Sequence, residues 1–468
     1  MKLQNVSKED VIKIVKEKNI RIVNLCHIPE DCHLKTLSFA VKNERKLEDV
    51  LELGERVDGS SLFPYIDSNK SDIYIVPKLD SAFFDPFSPM PALDIMCTYL
   101  DENGKPLDIA PENILSRAEE KLCSTTGITL KALAELEFYI KNEFESARLT
   151  VVENNYHETT PFAAFTNLRN EALVTLEELG IATKYGHAEV GRFYTKTAQL
   201  MEQHEIELLP QNLSKTAEGI AIAKWVIRNL AQKFDASVSF SPKPSLEHAG
   251  SGMHLHLCGL KEGINIFADA NGELTAETKQ IIGGILKLSP SLSAFGNTIP
   301  ISYLRFISRK ESPMNISWGT RNRAALIRIP LWWSFEKEND ERDPCRRTLE
   351  FRAPDPSANN YLLLAGIAVA VEYGLRNRKE AIKIAEDLNA DASASDANHP
   401  ILPLSCEEAA DRLEKDRSYY EDAGVFPSAV INGTISRLRF YKDRELRERL
   451  KNKPNEVDTV LQRYVDYG

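Results

Sequence analysis

The sequence predicts an α+β protein with two domains, and three observations carry that prediction. A chain of 468 residues can bury more than one hydrophobic core. Alternation typical of strands dominates the N-terminal part, whereas helical periodicity and strand-like segments are mixed in the remainder. A hairpin turn over residues 100–105 lies between the two parts. We therefore predict a sheet-rich domain over residues 1–105 and a larger domain over residues 106–468.

The N-terminal part begins with a predicted helix and continues mainly as strands. Apolar residues at helical spacing predict the helix over residues 8–18. Period-2 alternation predicts four strands, over residues 20–25, 35–41, 72–76 and 92–100. Residues 57–61, Val-Asp-Gly-Ser-Ser, are typical of a turn between them.

The second part carries helices along its whole length. Helical spacing predicts them over residues 111–125, 167–179, 216–234, 278–286 and 357–376. The longest apolar run, residues 361–371, is too short to span a bilayer and therefore predicts a buried helix. The charged tail over residues 435–467 predicts a solvated or subunit-contacting helix, with a specific anion site as the alternative.

Composition and charge narrow the class of protein. The residues are 43% hydrophobic and 27% charged, as in ordinary soluble globular proteins. A formal net charge of -11 argues against a nucleic-acid partner, because phosphate contacts need a basic surface. Seven scattered cysteines and the lack of an apolar leader pattern favour a cytoplasmic protein without a membrane partner.

One cysteine cluster offers zinc-ligand chemistry. Cys26-His27 and Cys32-His33 together supply four possible ligands. Adjacent cysteine and histidine side chains point to opposite faces of a strand, so a tetrahedral site would need an unusual loop. An incidental β-hairpin is the favoured interpretation, and a zinc site is the alternative.

Three strand-like segments place charged residues on one face. In residues 250–256, Gly-Ser-Gly-Met-His-Leu-His, the two histidines are two residues apart and share a face. Residues 135–138, Glu-Leu-Glu-Phe, and residues 349–352, Leu-Glu-Phe-Arg, follow the same alternation. Carboxylates that face one cavity repel each other unless cations compensate. The pattern therefore predicts a metal and phosphate site on a curved sheet.

The candidate metal ligands are five carboxylates and one imidazole. Oxygen-rich ligand sets suit Mg²⁺ or Mn²⁺, and six ligands exceed what one Mg²⁺ usually takes from protein. Two ions per site, each neutralising part of a transferring phosphoryl group, fit the set better. The ligands are Glu135, Glu137, Glu189, Glu205, His254 and Glu350.

Arginines accompany these acids on segments with apolar alternation. Arginine is the planar, permanently charged donor that suits carboxylate and phosphate oxygens, so an anionic substrate is expected. No P-loop and no kinase glycine loop is present, so metals and arginines would hold any ATP phosphates. Each residue also has a structural interpretation, such as an Arg352–Glu350 bridge or a core His256. The arginines are Arg305, Arg323, Arg328 and Arg352.

The motifs together resemble those of type I glutamine synthetases over most of the chain. They are the run at residues 250–256, E-x-E-F at 135–138, N-R-x-x-x-I-R-I-P at 322–330, E-F-R-x-P-D-P-S-A-N at 350–359 and D-G-S-S at 58–61. The resemblance implies a β-grasp N-terminal domain and a catalytic domain with a curved antiparallel sheet and surrounding helices. It also implies a ring, usually a dodecamer of two hexamers, with each active site at a subunit interface.

The resemblance implies that glutamate attacks the γ-phosphate of ATP, giving an acyl phosphate. Ammonium then binds, loses a proton and attacks the acyl carbon, which releases phosphate. Two Mg²⁺ or Mn²⁺ ions would take part, one held by Glu137, Glu189 and Glu205 and the other by Glu135, His254 and Glu350. Phosphates or the reacting carboxyl group would contact His256, Arg323, Arg328 and Arg352. Among the remaining residues, Asp58 of the adjacent subunit would be the base, Glu311 would close the site, and the substrates would contact Ser61, Tyr156, Gly250 and Arg305.

Departures from the family pattern leave two rivals open. Ala249 stands where the family has asparagine, Cys258 where it has serine, and Thr348 where it has arginine. Ala249 and a short loop before Tyr156 would enlarge the acceptor pocket, which suits a γ-glutamyl ligase that uses an organic amine. The other rival is a non-catalytic, ring-forming relative, and its expected sign is the loss of metal ligands.

Overall fold

A computed structural model describes residues 2–3, 6–66, 69, 71–142, 154–269, 271–307, 312–332, 345–392 and 399–467. In chain order, helices α1 to α12 span Lys8–Glu17, Glu44–Leu53, Pro111–Thr126, Thr166–Glu178, Leu213–Lys233, Ala276–Gly296, Asn360–Arg376, Arg378–Asp387, Cys406–Glu421, Ser428–Phe440, Leu446–Asn452 and Val457–Gln462. Strands β1 to β16 span Ile22–His27, Lys35–Ala40, Glu55–Asp58, Asp72–Pro77, Phe83–Phe84, Ala92–Leu100, Ile128–Asn142, Thr183–Tyr194, Leu200–Leu208, Gln211–Asn212, Ser237–Ser239, Met253–Lys261, Ile264–Asn265, Trp318–Thr320, Ile327–Ile329 and Leu349–Phe351.

The N-terminal sheet is mixed, in the strand order β2-β1-β6-β4-β3, with β5 paired to β6. β1 and β6 run parallel, and the other pairs run antiparallel. Val11 of α1 and Leu47 of α2 share a buried cluster with Val23 and Leu93 of the sheet. A mixed sheet with helices packed on it is the arrangement expected of a β-grasp domain. The sequence predicted α1, β1, β2, β4 and β6 but missed α2.

The larger sheet carries the motifs. Its strand order is β14-β15-β16-β12-β7-β9-β8, with β10 and β11 paired to β7 and β13 to β12. All pairs except β14–β15 are antiparallel. Ala134, Leu136 and Phe138 of β7 are buried in one core with residues of α3, α5, α6 and α7. Side chains alternate along a strand, so Glu135 and Glu137 lie on the opposite face, away from these helices.

Three helical predictions needed refinement. Helix α6 continues to Gly296, well beyond the predicted end at residue 286, with Pro290 inside it. Helix α7 begins at Asn360 rather than at residue 357, because the Asn359 side chain caps it by accepting from the Leu362 N–H at 3.0 Å. The tail over residues 435–467 consists of the end of α10 and the short helices α11 and α12. Lys442 has a φ of 50° between α10 and α11, a conformation that interrupts a helix.

Three residues of the candidate zinc cluster are buried. His27 Nδ1 lies 2.8 Å from the Tyr99 hydroxyl, and the Cys26 and Cys32 side chains are buried. Arg437 of α10 forms an ion pair with Glu30 of the N-terminal region. Helix α7 is buried as expected, and no helix in the described ranges has the length and apolarity to cross a bilayer.

Candidate active site

Strand register brings the charged residues of the larger sheet into rows. Glu135 of β7 is the cross-strand partner of His254 on β12 and of Glu207 on β9. Glu137 is opposite Glu205 on β9, which in turn is opposite residue 187 on β8. Cross-strand partners have Cβ atoms about 4.5–5.5 Å apart, so their side chains interact on one face.

The first row forms a compact group of acid and imidazole. His254 Nδ1 lies 2.9 Å from Glu135 Oε2 and 3.5 Å from Glu350 Oε1. His256 Nε2 lies 2.9 Å from the other Glu135 oxygen, and its Nδ1 lies 2.9 Å from the Thr348 hydroxyl. Ligand atoms of Glu135, His254 and Glu350 all lie within 4.8 Å of one another, as in a metal site. The structure thus brings together the predicted ligands of one ion.

The second row holds a different trio. Ligand atoms of His187, Glu189 and Glu205 lie within 4.8 Å of one another. Glu137 lines the same cavity, and its Oε2 accepts from the Gly252 N–H at 2.7 Å and from Gln203 Nε2 at 3.1 Å. Glu189 and Glu205 are far apart in sequence but lie on the neighbouring antiparallel strands β8 and β9. The register of this strand pair shifts between Ala188 and Arg192.

Arginines border the first group. Arg328 Nη1 lies 2.6 Å from Glu350 Oε2, and Arg352 pairs with the other oxygen of the same carboxylate. Glu350 is completely buried, so these two guanidinium groups compensate for its desolvation. Arg323 is exposed and lines the cavity. The cavity has a volume of about 420 Å³, and its lining residues are Glu135, Glu137, Tyr156, Tyr185, His187, Glu189, Val190, Glu205, His254, Arg323, Arg328 and Arg352.

The two groups differ in electrostatic balance. Burial would raise the pKa of Glu135, but His256 and His254 beside it hold that pKa well below its usual range. Burial and four neighbouring glutamates raise the pKa of Glu205 well above its usual range. A carboxylate in such surroundings stays ionised only beside a cation. This donor set, rich in oxygen with imidazole at the edge, therefore fits divalent ions such as Mg²⁺ or Mn²⁺.

Arg305 and Gly250 lie beside the cavity rather than in its lining. Arg305 is buried and donates to the carbonyl oxygens of Ala353, Pro354 and Arg352 at 3.0 to 3.2 Å. A Cβ atom on Gly250 would lie 3.0 Å from Arg305 Cγ, so the glycine loop rests directly on this arginine.

The N-terminal candidates lie elsewhere on the chain. Asp58 is exposed and accepts from the Ser60 N–H at 3.0 Å and from the Ser61 hydroxyl at 2.7 Å. The Ser61 hydroxyl, followed by Ser60, lowers the pKa of Asp58 to about 2. Neither Asp58 nor Ser61 lines the cavity of its own chain. Glu311 lies outside the described residues.

Four residues of the site were missed by sequence reasoning. Tyr185, His187 and Val190 line the cavity, and Glu207 lies within 4.8 Å of Glu135 and His256. Glu207 is buried and pairs with Lys184 Nζ at 2.7 Å. The available signal was alternation: residue 187 is two positions from 189, and 207 is two positions from 205, so each pair shares a strand face.

The family models agree with this architecture. The model described as "Glutamine synthetase, catalytic domain" matches residues 108–459, and "Glutamine synthetase, beta-Grasp domain" matches residues 19–102. The predicted fold class, a β-grasp domain followed by a catalytic domain with a curved sheet and surrounding helices, is confirmed.

Similarity extends over nearly the whole chain. Glutamine synthetase of Escherichia coli (strain K12) is 28% identical over 490 residues, covering 97% of this chain and 99% of that protein. Glutamine synthetase of Frankia alni is 30% identical, covering 98% and 97%. Among solved structures, Plasmodium falciparum glutamine synthetase has a TM-score of 0.77 at 20% identity, covering 96% of this chain and 98% of that chain. A structure described as "Apo GmaS without ligand" has a TM-score of 0.75 at 21% identity, covering 92% and 95%. The chain therefore belongs to the glutamine synthetase family, as a glutamine synthetase or a related γ-glutamyl ligase.

Proposed function

We propose that the protein joins ammonia to the γ-carboxylate of L-glutamate, using ATP, and releases glutamine, ADP and phosphate. One observation carries the proposal: carboxylates, imidazoles and arginines line the same cavity. Glutamate and the ATP phosphates are both anions, so their reaction requires cations between and around them. The names of the curated relatives support the same reaction.

The first step is transfer of the γ-phosphoryl group to the glutamate side chain, which gives γ-glutamyl phosphate. The expected metal positions are those formed by Glu137, Glu189 and Glu205 and by Glu135, His254 and Glu350. When bound, two Mg²⁺ or Mn²⁺ ions supply positive charge close to the phosphates.

The basic side chains provide the remaining positive charge. Arg328 and Arg352 are fixed by Glu350, so their remaining N–H groups can be directed at the phosphoryl oxygens without reorganisation. Arg323 and His256 are the other proposed phosphate contacts. Arg305, with Gly250 above it, is the proposed anchor of the substrate α-carboxylate.

The second step is attack of ammonia on the acyl carbon. Asp58 and Ser61 lie outside the cavity of their own chain, so we propose that a neighbouring subunit supplies them in a ring, as in a dodecamer. The low pKa of Asp58 keeps it ionised, which suits an ammonium ligand. Tyr156 lines the cavity and is a proposed contact of the nitrogen acceptor. Glu311 is the proposed residue that closes the site against water.

A second candidate is a γ-glutamyl ligase that accepts an organic amine. The observation in its favour is the aromatic wall of the cavity. The Tyr156 ring lies 5.2 Å from that of His187, which lies 5.9 Å from that of Tyr185. Such rings can contact an alkyl group that ammonium lacks. Ala249 adds no side-chain polar group nearby and offers its carbonyl oxygen to Tyr139 at 2.8 Å.

The deciding experiment measures ADP release by the purified protein with Mg²⁺-ATP and glutamate, comparing ammonium with a panel of amines. Release that depends on ammonium, with glutamine as the product, supports the proposal. ADP release only with an amine supports the second candidate, the γ-glutamyl ligase that uses an organic amine. No release with Mg²⁺ or Mn²⁺ contradicts both and favours a non-catalytic ring-forming relative. The Glu311→Ala variant serves as a control that should bind ATP without forming amide.

A further inference from the structure

Two hydrogen-bond acceptors face each other in the second row of the cavity. His187 Nδ1 lies 3.1 Å from the carbonyl oxygen of Ala188, which is hydrogen-bond distance, so in the neutral ring the proton belongs on this nitrogen. The Nε2 atom then carries a lone pair. Nε2 lies 3.4 Å from Glu205 Oε1, which is also an acceptor. Two acceptors at this distance repel each other unless a proton or a metal ion lies between them.

Glu205 has no other source of compensation nearby. Its side chain is 10% exposed, and no N–H or O–H group in the described part of the chain donates a hydrogen bond to it. Its cross-strand neighbours on the β7 side include Glu137, and residue 207, two positions along β9, is also glutamate. The carboxylate is therefore directed into the cavity with its charge unmatched by protein groups.

Glu189 completes the arrangement. Its Oε2 lies 3.6 Å from His187 Nδ1, and one ligand atom from each of His187, Glu189 and Glu205 lies within 4.8 Å of the other two. A histidine that binds a metal through one ring nitrogen usually donates a hydrogen bond from the other to a carbonyl or carboxylate oxygen. A hydrogen bond from Nδ1–H to the Ala188 carbonyl would leave Nε2 for the metal in this way.

We propose that His187 Nε2 is a ligand of the divalent ion held by Glu189 and Glu205. The inference rests on the proposed function for the presence of two ions, and it assigns one imidazole to each of them. Imidazole is a better ligand for Mn²⁺ than for Mg²⁺, which prefers oxygen. The protein therefore binds Mn²⁺ at this position more tightly than an all-carboxylate set would.

Pulsed electron paramagnetic resonance of the Mn²⁺-loaded, full-length protein tests the ligand directly, because it detects ¹⁴N coupled to the metal. In the variant that combines His254→Ala with His256→Ala, which lacks both imidazoles of the first group, a ¹⁴N coupling should remain. It should disappear when His187→Ala is added. Persistence of the coupling in the triple variant overturns the proposal. His157→Ala is the matched control, since the His157 ring lies 4.5 Å from the His187 ring outside the ligand trio.

Metal affinity gives an independent measurement. By calorimetry, His187→Ala should weaken Mn²⁺ binding at one site by about 10- to 100-fold and weaken Mg²⁺ binding less. Equal losses for both ions, or none, overturn the proposal. If the variants fail to fold, ¹⁵N-histidine labelling of the wild type gives the same nitrogen assignment without substitution, and the number of coupled imidazoles decides. Wild-type protein with the His187 coupling but no ligase activity refutes the proposed function and leaves this inference intact.

Discussion

Replacing Gly250 by alanine should damage both stability and glutamate binding. An added Cβ would lie 2.5 Å from the carbonyl oxygen of Pro242 and 3.0 Å from Arg305 Cγ. The Ser251 N–H donates to that same carbonyl at 3.0 Å, so the loop cannot move away without losing a hydrogen bond. Overpacking of this kind costs about 1–3 kcal/mol in unfolding free energy.

The displacement would also reach a cavity carboxylate. Gln203 Nε2 donates to the Gly250 carbonyl at 3.0 Å and to Glu137 Oε2 at 3.1 Å, so movement of the loop shifts both partners. We expect a lower melting temperature and a higher KM for glutamate in Gly250→Ala, with thermal unfolding and steady-state kinetics as the assays. A wild-type melting temperature together with a wild-type KM would refute the crowding argument.

Gly219→Ala is the matched control. Its added Cβ would meet Ile181 and Leu208 at 3.5 and 3.8 Å, which are ordinary contacts. Because Gly219 lies inside helix α5, alanine should be neutral or stabilise the fold by up to about 1 kcal/mol. Equal destabilisation by both substitutions would mean that loss of glycine, rather than local crowding, is responsible.

Four further predictions concern the metal sites and the fold. Glu350→Gln removes a charge shared by two arginines and should weaken Mg²⁺-ATP binding by about 10- to 100-fold; an unchanged Kd by calorimetry would exclude Glu350 as a ligand. Removing divalent ions with EDTA should lower the melting temperature, since saturation at 100 times Kd adds about 2.7 kcal/mol; an unchanged temperature would argue against resident ions. Asn359→Ala removes the cap on the Leu362 N–H and should cost about 1 kcal/mol in unfolding free energy by denaturant titration. Burial, helped by Lys35, lowers the pKa of His27 from 6.5 to about 4. Between pH 6.5 and pH 4 the unfolded chain therefore binds a proton on His27 that the folded protein does not. The free energy of unfolding is unaffected above pH 6.5 and decreases as the pH falls toward 4, by about 3 kcal/mol in all. Compared with wild type, His27→Gln should show a weaker loss of unfolding free energy between pH 7 and pH 4.5.

Local patterns were sufficient to predict three of the strands that carry the site, β7, β12 and β16, but not β8 and β9. Alternation in residues 135–138 and 250–256 placed the charged side chains on one strand face, and β7 and β12 confirm both strands. Helix α2 was missed although its apolar positions, including Leu47 and Leu51, are buried against the N-terminal sheet. Its ends are defined by the Asn43 cap and by Gly54 at a φ of 69°, signals that are weaker than alternation.

Contacts between distant segments were beyond prediction from the residues alone. Nothing local shows that residue 187 lies opposite Glu205, because that pairing depends on the β8–β9 register and on a shift within it. The position of Glu207 beside Glu135 depends in the same way on the β7–β9 register. Register is determined by the buried faces of whole strands, so a one-residue slip would send every one of these side chains into the core.

That dependence explains how one sheet can form two unlike ion positions. Glu135 lies between two imidazoles that share its charge, so the first group is nearly balanced by protein alone. Glu205, one row away, has carboxylates for most of its neighbours and receives no such compensation. Both rows follow from the same pairing of β7 with β9, and they differ because β12 borders the first row with histidine while β8 borders the second with His187 and Glu189. The second position therefore depends more strongly on a bound cation. A substitution at residue 187 should change metal affinity at this position more than at the first.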